Sequence, residues 1–135
     1  MSTPDTPSRV DLALARARDG LERLSPERAA AARDAGALLV DIRYAALRER
    51  DGTIPGALVV ERNELEWRLD PTCPHRSPEA TGPGRPVVLV CAEGYASSLA
   101  ARSLRSLGLE HVADLDGGFR AWRAAGLPVT PPEPP

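Results

Sequence analysis

A chain of 135 residues has room for one domain, and 42% hydrophobic residues with only 4% aromatics imply a core built mainly from Ala, Leu and Val. All 17 basic residues are Arg and none is Lys, which excludes Schiff-base chemistry and a Lys general base. With 19 acids interspersed and a formal charge of −2, no clustered positive surface for nucleic acid is expected, and no apolar run approaches the about 18 residues of a membrane span. The start MSTPDTPSRVD lacks the basic and apolar profile of a secretory signal, so a cytoplasmic protein with Cys73 and Cys91 as free thiols is expected.

Val10, Leu14, Ala17, Leu21 and Leu24 recur every three or four residues and predict an N-terminal helical extension over 10–24, broken near Gly20, behind a flexible tail 1–9. Ser25-Pro26-Glu27 supplies an N-cap, a first-turn proline and an early acid for a helix over 26–35, and Gly36 stops it. Ala37 to Ile42 reads as a strand buried on both faces, followed by a helical patch near 44–50 and the turn Gly52 to Gly56. Ala57 to Val60 repeats the strand signal, and Asn63 is placed to cap a short helix through Leu69. Five prolines and two glycines over 71–86 preclude helix and central strand, leaving a long surface loop. Val87 to Val90 is the strongest strand and stops at Cys91; a helix over 97–107 follows, with the apolar stripe Leu99, Ala100, Leu104 and Leu107. Val112 to Leu115 is the last strand, Gly117-Gly118 turns it into a helix over 119–125, and a Pro-rich tail occupies 130–135. Strands and helices in near alternation over a folded body 10–129 predict an α/β domain with a mostly parallel sheet.

Ligands of parallel sheets sit beyond the carboxyl ends of the strands, which directs attention to Cys91. The segment Cys91-Ala92-Glu93-Gly94-Tyr95-Ala96-Ser97 places a thiol beside successive backbone N–H groups at a helix start. Such a setting binds anions and lowers a thiol pKa from about 8.5 toward neutrality, which makes a nucleophilic thiolate. Read more plainly, Cys91 is a small buried hydrophobe ending a strand; its position favours the nucleophile. Cys73, in the proline-rich loop, reads as an ordinary thiol, with a resolving partner for Cys91 as the alternative. Cys73, His75, Cys91 and His111 would make a zinc set only by consuming the nucleophile, so no metal is expected. Trp67 reads as a packing residue, and Tyr95 as one that shapes the mouth of the loop.

Four segments in register carry a resemblance: Leu39 to Arg43, Gly52 to Ala57, the Val87 to Cys91 strand with its loop, and Asp116 to Trp122 continued by Ala125 to Val129. Over roughly residues 24–129 the chain resembles the single-domain rhodanese-like sulfurtransferases. That resemblance implies a doubly wound domain with a central, mostly parallel sheet of about five strands flanked by helices. It also implies that Cys91 takes sulfane sulfur from thiosulfate or a persulfide. The sulfur would be held as a Cys91 persulfide and passed to cyanide or to a thiol, on a small molecule or a protein, without a cofactor. Ala92, Glu93, Gly94, Tyr95, Ala96 and Ser97 would form the anion cradle, and Asp41 with Arg43 would brace the loop or act as a structural ion pair. Arg48 and Arg62, each following a strand end, are candidate substrate-binding cations.

The chain departs from the family pattern at Ala96, where many members carry Arg, at Glu93, and at Thr53 in place of the usual His. A Glu93 carboxylate pointing inward about 6 Å from a thiolate would cost about 3 kcal/mol, against about 0.3–2 kcal/mol returned by a helix N-terminus. Glu93 is therefore expected to point outward, as an acidic rim that disfavours dianionic thiosulfate. Cysteine phosphatases and arsenate reductases commonly carry Arg six positions after the cysteine, where this chain has Ser97, so that chemistry is disfavoured. A non-catalytic binding or regulatory module on the same fold is the other alternative.

Overall fold

The computed structural model describes residues 6–134. Ser8 opens helix α1, Arg9–Arg18, through a reciprocal pair of bonds: its Oγ accepts from the Asp11 N–H, and the Asp11 carboxylate accepts from the Ser8 N–H. The helix thus starts one residue earlier than its apolar spacing indicates, and it ends well before residue 24. Gly20, at φ +72°, turns the chain into strand β1, Glu22–Leu24. The break expected near Gly20 is found, and what is corrected is the helical reading of the residues beyond it, which are strand at 22–24. Leu21 and Leu24 keep helical spacing yet are buried on opposite sides of the sheet, because pairing with a distant strand overrides the local signal.

Helix α2, Pro26–Asp34, begins at the Ser25 cap as expected. The remaining order is β2, Leu38–Asp41; α3, Ala45–Asp51; β3, Leu58–Val59; a 3₁₀ turn at Arg62–Glu64; α4, Leu65–Leu69; β4, Val87–Val90; α5, Ala96–Ser106; β5, Val112–Leu115; and α6, Gly118–Ala124. Asn63 lies inside the 3₁₀ turn and caps nothing, a second correction. The loop between Asp70 and Pro86 carries neither helix nor strand. Thr130 is tied back by a two-bond antiparallel bridge to Thr53, so the ordered body extends into the predicted C-terminal tail.

The five strands form one parallel sheet in the order β1-β5-β4-β2-β3, which puts β4 at its centre. Side chains alternate along β4. Val87, Leu89 and Cys91 face one core with Leu65, Leu69, Ala100 and Leu104 from α4 and α5. Val88 and Val90 face the other, with Ala29 from α2 and Phe119 and Trp122 from α6. Helices on both faces explain why β2, β4 and β5 are buried at every position. On α5 the core is reached by Ala100, Ala101 and Leu104, whereas Leu99 and Leu107 point to solvent, which corrects half of the expected stripe. Trp67 is corrected too: it is 56% exposed, over a shallow hollow with Arg68 and His75.

Candidate active site

The doubly covered sheet delivers the end of β4 to its carboxyl edge, and Cys91 stands there at the start of the loop to α5. Its Sγ accepts the N–H of Gly94 at 3.1 Å and the N–H of Ser97 at 3.3 Å. Two of the six expected cradle residues therefore reach the sulfur. Ala92, Tyr95 and Ala96 instead line a cavity of about 350 Å³ that Cys91 also lines. Gly94 sits at φ +89°, and a Cβ there would lie 2.7 Å from the Gly117 backbone nitrogen, so the loop can pass this close to α6 only at a glycine. Gly118 packs against the other side of the loop; its own Cβ would fall 2.5 Å from the Cys91 carbonyl oxygen. The following N–H groups of Phe119 and Arg120 donate to the carbonyls of Cys91 and Ala92. The Gly117-Gly118 pair is thus a seat for the cysteine loop as well as a turn.

Glu93 is exposed and meets Arg120 at 3.3 Å, so the cation that offsets the expected repulsion is in place, while Glu93 itself lines the cavity with Cys91. Asp41 and Arg43 form a buried pair with each side chain 1% exposed, at 2.7 Å from Nη2 to Oδ2 and 3.0 Å from Nε to Oδ1. Arg43 Nη2 also donates to the Gly52 carbonyl at 2.8 Å, and its guanidinium lies 4.0 Å over the Phe119 ring. Arg43 forms part of the cavity wall, but neither member hydrogen-bonds the loop 91–97; they hold the Gly52 turn instead. Arg62 lines the cavity, with both Glu66 oxygens on its Nη1 at 2.9 and 3.0 Å. Arg48 does not line it: this side chain donates to the Arg43 carbonyl and faces Glu61 at 3.7 Å. Burial pushes the Glu66 carboxyl up, but hydrogen bonds from Ser103, its own backbone and Arg62 outweigh that and leave it below the usual range. Cys73 lies in the distant loop, where its Sγ accepts the His75 N–H at 3.4 Å, and both cysteines are free thiols.

One set of residues escaped the sequence reading. Asp114, in β5, is fully buried and accepts from Ser97 Oγ and Ser98 Oγ at 2.8 Å each and from Arg23 Nε at 3.1 Å. Arg23 Nη2 and Arg18 Nη2 both donate to the Gly94 carbonyl, at 2.7 and 2.9 Å. The available signal was an acid inside an otherwise apolar strand, Val112-Ala113-Asp114-Leu115, since such an acid needs a partner. A larger hollow of about 600 Å³ lies at the amino ends of β4 and β5, beside Glu22, Arg105 and His111, and holds no thiol. Among the described residues no cluster of three or more His, Cys, Asp or Glu could hold a metal ion, and no helix is long and apolar enough to cross a membrane.

A five-stranded parallel sheet between helices, with a cysteine loop at the end of its central strand, defines an α/β domain that presents a thiol at the carboxyl edge of its sheet. The family model for the rhodanese-like domain matches residues 25–125, and the chain belongs to that family. It is 37% identical over 106 residues to the thiosulfate sulfurtransferase GlpE of Pseudomonas fluorescens SBW25, covering 76% of this chain and 84% of that protein. Among solved structures, a Rhodopseudomonas palustris CGA009 protein described as a possible tyrosine phosphatase superimposes with a TM-score of 0.81 at 37% identity, over 95% of this chain and 99% of that one. A thiosulfate sulfurtransferase from Pseudomonas aeruginosa gives 0.66 at 28% identity, over 82% of this chain and 19% of that one.

Proposed function

We propose that the chain is a sulfurtransferase that carries sulfane sulfur as a persulfide on Cys91. The observation that carries the reading is the pair of N–H groups, from Gly94 and Ser97, directed at a sulfur on the wall of a cavity. In the first half-reaction the Cys91 thiolate attacks the outer sulfur of a donor R–S–S⁻. A new S–S bond forms, the donor's S–S bond breaks, and R–S⁻ (or sulfite, from thiosulfate) leaves with the electron pair. In the second, an acceptor thiolate attacks the outer sulfur and releases the Cys91 thiolate, with no net oxidation. Both half-reactions need negative charge on sulfur, where fixed N–H dipoles stabilise it without reorganising.

Of the two donor classes, an organic persulfide fits this cavity better than thiosulfate. Its walls are largely carbon, from Ile42, Leu47, Tyr44 and Tyr95. Each charged side chain on the wall has an opposite charge beside it, Arg43 by Asp41, Arg62 by Glu66 and Glu93 by Arg120, and Arg43 Nη1 is the buried nitrogen among them without a hydrogen-bond partner among the described residues. A dianion entering there meets no surplus cation. The phosphatase reading lacks its clamp, because the loop from Ala92 to Ser97 contains no Arg.

Intact-mass analysis after exposure to thiosulfate and, separately, to a benzyl persulfide tests the reading. Gain of one sulfur atom by the parent chain and none by Cys91→Ser is expected, with faster gain from the persulfide. A parent chain that gains no sulfur from either donor refutes the proposal.

A further inference from the structure

The two residues whose N–H groups reach Cys91 Sγ are the same two that a buried charge network holds from behind. Ser97 Oγ donates to Asp114 at 2.8 Å, and the Gly94 carbonyl accepts from Arg23 at 2.7 Å and Arg18 at 2.9 Å. The network closes on itself: Arg23 Nε donates to Asp114 at 3.1 Å, while Ser98 Oγ donates to Asp114 at 2.8 Å and accepts from Arg18 Nε at 3.0 Å. Asp114, Ser97 and Ser98 are entirely buried, so water cannot stand in for a lost partner.

We infer that Arg18, Arg23 and Asp114 are positioning residues for the sulfur-transfer step, acting on Cys91 only through the backbone of its loop. The inference rests on the persulfide reading above. None of the three lines the cavity, so they do not touch substrate. Arg18 and Arg23 also precede residue 25, where the match to the family model begins. The segment α1–β1 is therefore more than an added helix and edge strand. It brings two guanidinium groups to a loop that carries Ala at 92 and 96 and no Arg of its own.

Geometry makes the connection direct. A carbonyl accepting two guanidinium donors fixes the orientation of residue 94, whose N–H is one of the two donors to Sγ. Asp114 fixes residue 97 at the other end of the same loop by its hydroxyl. The charged groups facing the loop from the elements packed on it are Arg18 of α1, Arg23 of β1, Asp114 of β5 and, on the outer side of Arg23 at 3.2 Å, Asp116. On the cavity side they are the matched pairs of Arg43, Arg62 and Glu93.

The test uses the full chain and reads single-turnover sulfur loading, Cys91 alkylation by iodoacetamide, and melting temperature. Arg18→Ala leaves the Arg23–Asp114 pair intact and is the cleanest variant. Removing an oxyanion donor outright costs about 10²–10³-fold in rate. Loosening Gly94 without removing its N–H is expected to slow loading about three- to tenfold in Arg18→Ala, and tenfold or more in Arg23→Ala. The donor KM should hold while kcat falls, alkylation should slow in parallel, and Arg18→Lys should recover most of the loss. Folded Arg18→Ala and Arg23→Ala proteins that load and react at the parent rates overturn the inference. So does a loss that tracks melting temperature and is not rescued by Lys. If Arg23→Ala does not fold, the Arg18 pair of variants decides alone. Alkylation reports on Cys91 whether or not sulfur is transferred. A parent chain that alkylates readily but never gains sulfur therefore condemns the persulfide reading, not the positioning network.

Discussion

The strands on either side of β4 each carry, in their last two residues, a buried carboxylate paired with an arginine, and the two pairs do different work. Asp41 of β2 is held by Arg43, two residues further along the same chain, and both side chains are 1% exposed. Asp114 of β5 is held by Arg23, 91 residues away on the edge strand, with the arginine side chain 21% exposed. The first pair donates to the Gly52 turn, stacks on Phe119 and leaves Arg43 Nη1 without a hydrogen-bond partner among the described residues; the second donates to the Gly94 carbonyl and shares its carboxylate with Ser97 and Ser98. One stabilises the wall of the cavity, the other the loop that bears the thiol. A buried ion pair by itself is weak evidence for function. What distinguishes these two is where the leftover hydrogen bonds go.

Breaking each pair on the arginine side should expose that asymmetry. Arg43→Met leaves the fully buried Asp41 carboxylate with the residue-43 N–H but no cation, and is expected to cost about 3–5 kcal/mol in denaturant unfolding. Arg23→Met should cost about 1–3 kcal/mol, because Asp114 keeps two hydroxyl donors. Equal losses of stability would erase the difference between the two pairs.

Gly94→Ala attacks the loop directly, at a position whose Cβ would also lie 3.2 Å from Arg23 Nη2. A non-glycine residue at φ +89° with a Cβ 2.7 Å from the Gly117 nitrogen is expected to cost about 1–3 kcal/mol. Sulfur loading should fall with it. Stability unchanged within error would show that the loop has room the geometry denies.

At the rim the effects shrink. Glu93→Arg converts an exposed acid beside Arg120 into a cation and should raise kcat/KM for thiosulfate about two- to fivefold, the factor that up to about 1 kcal/mol of surface electrostatics supports. The gain should fade at high salt. An unchanged or lower efficiency refutes the idea that the acidic rim repels the dianion.

The smallest expected effect belongs to the Arg62–Glu66 pair on the cavity wall. Because the folded-state Glu66 carboxyl is held below its ordinary value, its contribution is present above about pH 4.3 and disappears as pH falls through the lower folded value. Glu66→Gln should therefore be less stable than the parent by about 0.5 kcal/mol near neutrality, and the gap should close in acid. A gap that persists unchanged at about pH 3 assigns the loss to packing instead of charge.

Much of this molecule could be read along the chain because the signals are local. The Ser25-Pro26-Glu27 start of α2, the apolar runs of β2, β4 and β5, and the proline-rich loop over 70–86 all act within a few residues. The Asp41–Arg43 pair belongs with them, since two residues apart in an extended segment share a face. Cys91 was legible as well, because a cysteine directly after the strongest strand and before a helix has one natural place in a parallel sheet. The readings that failed turned on particular contacts, near or far along the chain, that apolar periodicity does not report. Glu22–Leu24 became a strand only by pairing with β5, and Arg48 turned back onto the Arg43 carbonyl, away from the cavity.

Local sequence by itself determined the alternation of strands and helices, the position of the thiol and the loop that surrounds it, since turn chemistry and burial period act over short range. Tertiary structure alone decided which amides reach the sulfur and which arginines hold them. Arg18 and Arg23 meet Gly94 across 76 and 71 residues of chain, and Arg23 meets Asp114 across 91, separations at which no periodicity in the sequence survives.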